Sequence, residues 1–115
     1  MERFKIIKKG DVTIVIFGNL INVDTYDEMI RIIDKTKIFN NNQNKLVIDL
    51  SNLNIIDSYG LGIIAKLMKH TVASEYKTSL VGINKKIEMM LRQVGLFYLA
   101  NNCKDIKQAI GYYKL

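Results

Sequence analysis

The 115-residue sequence predicts a single α/β domain, with a mixed, mostly parallel β-sheet of about five strands and about four helices. Three observations carry that prediction. Two apolar runs at the start are separated by Lys9-Gly10-Asp11, the composition of a hairpin turn. Each later β-type run is separated from the next by a stretch of helical periodicity. The second run, Val12 to Phe17, is apolar on both faces, with Val12, Ile14 and Ile16 on one and Val15 and Phe17 on the other, as an interior strand should be. Strands joined through single helices favour parallel pairing by right-handed crossovers, and the hairpin adds one antiparallel strand. Residues 1–115 read as one domain, long enough to bury a core without metals or disulfides.

Strand signals run from Arg3 to Lys8 and from Val12 to Phe17. Asp24 or a neighbour should cap the first helix, with Asp27 and Glu28 in its first turn and Tyr26, Met29, Ile30 and Ile33 on its buried stripe. Asn40 to Asn44 is a polar loop. Lys45 to Leu50 is the next strand, after which Leu53, Ile55 and Ile56 should tuck under the sheet end. A helix begins at Ser58 and turns Leu61, Ile64, Leu67, Met68 and Val72 inward, with Lys66, Lys69 and Glu75 outward. Lys77 to Val81 returns as a strand, and Asn84 caps a third helix with Ile87, Met90, Leu91 and Val94 inward and Gly95 at its end. Phe97 to Ala100 reads as a short last strand. Asn102, with Asp105 three positions on, should cap a terminal helix buried through Ile106, Ala109, Ile110 and Tyr113.

The composition, 49% hydrophobic and 24% charged, is that of an ordinary soluble globular protein, and together with the single cysteine and the start of the chain it leads us to expect a cytoplasmic domain. The start lacks the pattern of a secretory signal, and no apolar run approaches the roughly 20 residues that cross a bilayer. Cys103 is the single cysteine, so no internal disulfide can form. The net charge of +6 arises from scattered lysines; Lys8-Lys9 and Lys85-Lys86 are the only adjacent basic pairs, and the arginines are Arg3, Arg31 and Arg92. That pattern reads as a solvated surface, without the clustered, aromatic-interleaved charge of a nucleic-acid or membrane binder.

One segment stands apart. Asp57-Ser58-Tyr59-Gly60-Leu61-Gly62 follows the strand that ends at Leu50 and opens the helix beyond it. A serine there meets unpaired backbone N–H groups and the positive end of the helix dipole, which suit a hydroxyl cap and suit a phosphate better. Two glycines remove bulk, so a partner can approach the backbone closely. In an open sheet, partners gather where the parallel strands end, and Gly18-Asn19-Leu20 and Gly82-Ile83-Asn84 are turns expected at that same end.

These residues resemble the Asp-Ser-Ser/Thr-Gly-Leu/Val-Gly signature of the STAS domains, and more narrowly of the bacterial anti-sigma factor antagonists. The likeness spans nearly the whole chain. Phe17-Gly18-Asn19-Leu20, Lys45 to Leu53, Leu80-Val81-Gly82 and Leu91 to Leu96 stand in order where that family has its strand ends and its helix end. The resemblance implies a STAS-like fold and no enzymatic activity. It implies that Ser58 is phosphorylated by a partner that is both anti-sigma factor and serine kinase, and reset by a metal-dependent serine/threonine phosphatase. The unmodified form would bind the anti-sigma factor and release the sigma factor. Asp57, Tyr59, Gly60, Leu61, Asn19, Asn22 and Asp24 would form the contact surface, with no catalytic residue, metal or cofactor, and no nucleic-acid or membrane partner. Two positions depart from the pattern: Tyr59 follows the serine where the antagonists usually have Ser or Thr, and Ile21 stands where the family tends to be acidic.

Other residues have plainer readings. Without the motif around it, Ser58 reads as a helix N-cap and Asp57 as a turn-forming carboxylate. Tyr59 is either an exposed contact or a ring folded back on the domain. His70 lacks partners at metal-ligand spacing. Cys103, Met68 and Met89-Met90 read as packing, and Tyr112-Tyr113 as helix packing or a contact surface. Two further functions stay open: a constitutive scaffold or adaptor using Tyr59 as a permanent contact, and a sensor holding a nucleotide or lipid at the strand ends. Gly60-x-Gly62 lacks the lysine and spacing of a phosphate loop.

Overall fold

The chain alternates strand and helix, and its connections decide which face each helix covers. A computed structural model describes residues 4–36, 45–69, 71 and 76–114; the expectations for Arg3, the Asn40–Asn44 loop, His70, Val72 and Glu75 lie outside them. Strands β1 (Phe4–Lys9) and β2 (Val12–Phe17) form the antiparallel hairpin, closed by Gly10-Asp11 with Gly10 at φ +64°. Next come β3 (Leu20–Ile21), α1 (Val23–Thr36), β4 (Lys45–Asp49), β5 (Ile55–Ile56) and α2 (Ser58–Lys69). The chain continues through β6 (Thr78–Val81), α3 (Lys85–Gln93), a 3₁₀ turn (Phe97–Leu99), β7 (Ala100–Cys103) and α4 (Ile106–Tyr113).

The main sheet has the order β1-β2-β4-β6-β7, with every pair after the hairpin parallel. Its three crossovers step the same way across the sheet, so a common right-handedness puts α1, α2 and α3 on one face. On that face Val15, Phe17, Ile48, Leu50 and Leu80 meet Met29, Ile33, Ile63, Ile64, Leu67, Ile87 and Leu91 in the larger core. Alternate residues of the same strands point the other way: Val12, Ile14, Val47, Val81 and Cys103 pack on Ala109 and Tyr113 of α4. No helix among the described residues is long and apolar enough to cross a membrane.

Several boundaries differ from expectation. A second, two-stranded parallel sheet joins β3 to β5, and it leaves Ile55 52% exposed while Leu53 and Ile56 are buried as expected. Residues 97–99 turn as a 3₁₀ segment instead of a strand, because the Arg92 guanidinium lies over Phe97 at 4.0 Å and Leu99 N donates back to Leu96 O. Register with β6 then starts at Ala100, which places Asn102 inside β7. Asp105 is the α4 cap, accepting from Gln108 N while Gln108 Oε1 accepts from Lys104 N. Val94 falls just past the end of α3 and is exposed.

Tyr113 ties the last helix to the sheet where the ladder between β4 and β6 has not yet begun. Its phenol lies 2.6 Å from both Leu46 O and Lys77 O, buried behind α4. Burial also pushes the phenol's pKa up. The unfolded phenol therefore ionises first, so this contribution is present below about pH 10 and is lost as pH rises through the folded pKa. Tyr113→Phe should lower unfolding free energy by about 1–2 kcal/mol at neutral pH. In urea melts repeated toward pH 11, the variant should lose less stability than the parent.

Candidate functional site

At the carboxyl end of β4 the chain makes a chain of turns that gathers three loops. Asp49 Oδ1 accepts from both Ser51 N and Ser51 Oγ, and Leu53 N donates to Leu50 O. Asn54 N and Ile55 N both donate to Asn19 O, and Asn54 Nδ2 donates to Asn19 Oδ1 at 2.7 Å. Asn84 Nδ2 donates to Leu53 O, while its Oδ1 caps α3 through Ile87 N. The three turns expected at one end of the sheet are thus fastened there through the segment from Leu53 to Ile55.

Asp57 is the centre of the arrangement. Its Oδ1 accepts from Gly60 N at 3.0 Å, the hydrogen bond of an N-cap, and its backbone O accepts the first helical bond, from Leu61 N. Its Oδ2 accepts from Val23 N at 3.1 Å, at the start of α1. One carboxylate thus satisfies unpaired donors of two helices and sits at both positive dipole ends. Asn22 supplies the rest of the α1 cap, accepting from Asp24 N and donating its own N–H to Thr25 Oγ1. The first cap is therefore the neighbour of Asp24, which lies exposed in the first turn.

Ser58 is the first residue of α2 and is exposed. Asp57 takes the capping role, so the Ser58 hydroxyl is not the cap that its position in sequence suggests. It makes no hydrogen bond among the described residues. Asp57 N reaches Ile21 O and Gly60 N is capped, which leaves the amides of Ser58 and Tyr59 at the helix mouth. Tyr59 is neither fully exposed nor fully folded back. It is half exposed, and its ring meets Tyr26 edge-on at 5.5 Å.

The motif glycines divide in function. Gly60, expected on the contact surface, is buried: a Cβ there would lie 2.6 Å from Ile56 Cγ1 and 3.0 Å from Ile21 Cβ. Its small size lets α2 settle onto β3 and β5, so its role is packing. Ile21, where an acidic residue was the family tendency, is fully buried in that contact. Leu61 is half-buried against the core. Gly62 is exposed, a Cβ on it would touch nothing, and it lies one turn from Ser58 on the same side of α2.

Sequence reasoning missed two residues of this surface. Val23 and Ile55 are each 52% exposed and come from the elements that Asp57 and Asn19 hold, so they flank Ser58 with Tyr59. Neither carries a signal in sequence: Ile55 reads as a residue tucked under the sheet end, and Val23 belongs to no apolar pattern. Cys103 is buried beside α4 with its thiol pKa pushed up by burial, a packing residue. No group of three His, Cys, Asp or Glu among the described residues could hold a metal ion.

Known structures share this architecture. A Thermotoga maritima protein, provisionally described as an anti-sigma factor antagonist, superposes with TM-score 0.83 at 24% identity, covering 97% of this chain and 95% of its own. An anti-sigma factor antagonist from Mycobacterium paratuberculosis superposes with TM-score 0.80 at 19% identity over 97% and 93%. The anti-sigma factor antagonist SpoIIAA of Bacillus, in its unphosphorylated form, gives TM-score 0.77 at 18% identity over 96% of both chains. No curated protein matches the sequence. These identities establish a common fold. The STAS domain family model matches residues 3–109, nearly the entire chain, and the protein belongs to the STAS domain family.

Proposed function

We propose that the protein is a non-enzymatic anti-sigma factor antagonist in which Ser58 is the phosphoacceptor of a partner-switching system. The observation that carries this reading is the exposed, uncommitted hydroxyl of Ser58 at the mouth of α2, beside a carboxylate that already caps two helices. A phosphate on Ser58 would face the amides of Ser58 and Tyr59 and the helix dipole, so the domain can carry it without refolding. The same phosphate would place about 1.5–2 negative charges next to Asp57 on a surface otherwise apolar through Val23, Ile55 and Tyr59. Unmodified, that surface docks on an anti-sigma factor with serine kinase activity, with Asn19, Asn22, Asp24 and Leu61 at or beneath its edge, and the sigma factor is freed. A serine/threonine phosphatase restores the binding form. Likeness in fold to SpoIIAA, which has been solved both unphosphorylated and phosphorylated, supports the proposal.

Incubation with the cognate kinase and ATP should add about 80 Da to the intact mass. The gain should be absent in Ser58→Ala; no gain, or a gain that persists in that variant, sinks the phosphoacceptor reading. The edge contact of Tyr59 on Tyr26 favours one competing reading, a constitutive adaptor with Tyr59 as a fixed anchor. It predicts binding unchanged by kinase treatment and lost in Tyr59→Ala.

Gly62 gives an independent check. A helical glycine costs about 1 kcal/mol relative to alanine, and nothing inside the domain requires this one. Gly62→Ala should therefore raise stability by about 0.5–1 kcal/mol in denaturant melts. If the bare backbone is where the partner lands, the same variant should bind the anti-sigma factor at least about tenfold more weakly.

A further inference from the structure

We infer that the opposite end of the sheet, where the parallel strands begin, holds a second binding site, for a small amphipathic anion with a phosphate or carboxylate head and a short apolar body. The site follows from the topology. The eight-residue α4 packs over β4, β6 and β7, and it is the helix of the smaller core. The face of the hairpin beside it stays uncovered by comparison, and Ile7 is 40% exposed there. Between the Gly10 turn and the end of α4 a cleft of about 550 Å³ remains, a volume usual for a small-molecule site.

Its lining is divided by chemistry. Val12, Ile110 and the ring of Tyr113 supply an apolar floor, while Lys9, Lys45 and Lys114 supply ammonium groups. Asp11 is the single carboxylate of the lining among the described residues, and Lys45 Nζ neutralises it at 2.6 Å while also lying 5.0 Å over the ring of Tyr76. Among the described residues Lys9 and Lys114 form no ion pair, so the described lining carries more ammonium groups than carboxylates around its apolar floor. The concave shape selects a small body over an extended polymer. The lysines recognise the head as point charges, without the bidentate fork that arginine would bring. The site lies across the sheet from Ser58, so its occupancy does not depend on the function proposed above.

The test is isothermal calorimetry of the full chain with octyl phosphate, octanoate, 1-octanol and inorganic phosphate, each below its aggregation limit. Octyl phosphate or octanoate, or both, should bind, and their relative affinity identifies the head group. The Lys9→Glu/Lys114→Glu double variant changes two exposed side chains and should fold normally while binding at least about tenfold more weakly. Should it not fold, Lys9→Gln/Lys114→Gln gives the same reading with a smaller loss. Failure of both amphiphiles to bind, equal binding of 1-octanol, equal binding of inorganic phosphate, or unchanged affinity in the folded variant would each overturn the inference.

Discussion

In the switch proposed above, phosphorylation of Ser58 is expected to weaken binding to an anti-sigma factor more than 100-fold, a loss of about 3 kcal/mol, with the fold intact. The magnitude comes from where the charge falls. Asp57 already brings one carboxylate to the junction of α1 and α2, and it is held there by Val23 N and Gly60 N. A phosphate on the next residue more than doubles the negative charge that a close-packed partner must desolvate or repel. Ser58→Asp adds a single charge without the three phosphate oxygens, so a loss of about tenfold is expected. Ser58→Ala removes a hydroxyl that has no partner among the described residues and should bind like the parent. Stability should move the other way: an acidic side chain in the first turn of a helix contributes about 0.3–1 kcal/mol. Calorimetric titration of each form with the anti-sigma factor, beside a thermal melt, separates the two effects. Full affinity in the phosphorylated form refutes the switch, and a lowered melting temperature in Ser58→Asp refutes the helix-mouth account of it.

The larger pattern of the fold was legible because it rests on periodicity. β2 is apolar on both faces and is interior in the sheet; the stripes of α1 and α2 face the larger core, apart from half-buried flanks at Tyr26, Ile30 and Leu61. Illegible parts depend on contacts distant in sequence. The β3–β5 sheet consists of two residues on each side, too few to create a pattern, and exists because Asn19 and Ile21 meet Ile55 and Asp57 across the fold. Phe97 to Leu99 has strand composition, yet the stacking of Arg92 on Phe97 makes it a turn. A strand-like triplet cannot reveal a guanidinium that arrives from the preceding helix.

The candidate site was legible as a motif but not as a mechanism. Asp57, Ser58 and the paired glycines mark a helix start by residue type, and the helix begins there. Residue type does not say which of two adjacent polar side chains caps it. The structure assigns the cap to Asp57, because its carboxylate reaches Gly60 N on its own helix and Val23 N on another. The two glycines look alike in the motif and differ in environment, Gly60 under the side chains of Ile56 and Ile21 and Gly62 in open space. Only packing separates the glycine that the fold needs from the one it does not.

Gly82→Ala should destabilise the domain by about 3 kcal/mol, lowering the melting temperature by on the order of 10 °C. Two costs combine. Gly82 has φ +69°, a left-handed conformation that costs a residue with a Cβ about 1–2 kcal/mol. The added Cβ would also press on Ser51, contacting its Oγ and lying 2.9 Å from its Cβ and 3.0 Å from its Cα. Ser51 cannot readily retreat, because its N–H and its hydroxyl are both committed to Asp49 Oδ1 and the preceding Leu50 N is bonded to Val81 O. Gly82 N itself donates to Cys103 O, so a displaced turn also disturbs β7. Ser51→Gly in the same chain removes the Oγ and Cβ collisions and leaves the left-handed strain, so the double variant should recover part of the loss, about 1–2 kcal/mol. Denaturant melts of the four proteins in that cycle measure the coupling. Additive losses would show that backbone strain alone explains Gly82. A double loss smaller than the sum of the single losses would show that the turn after β6 packs against the turn after β4, the same segment that leads through Asn54 to Asp57 and Ser58.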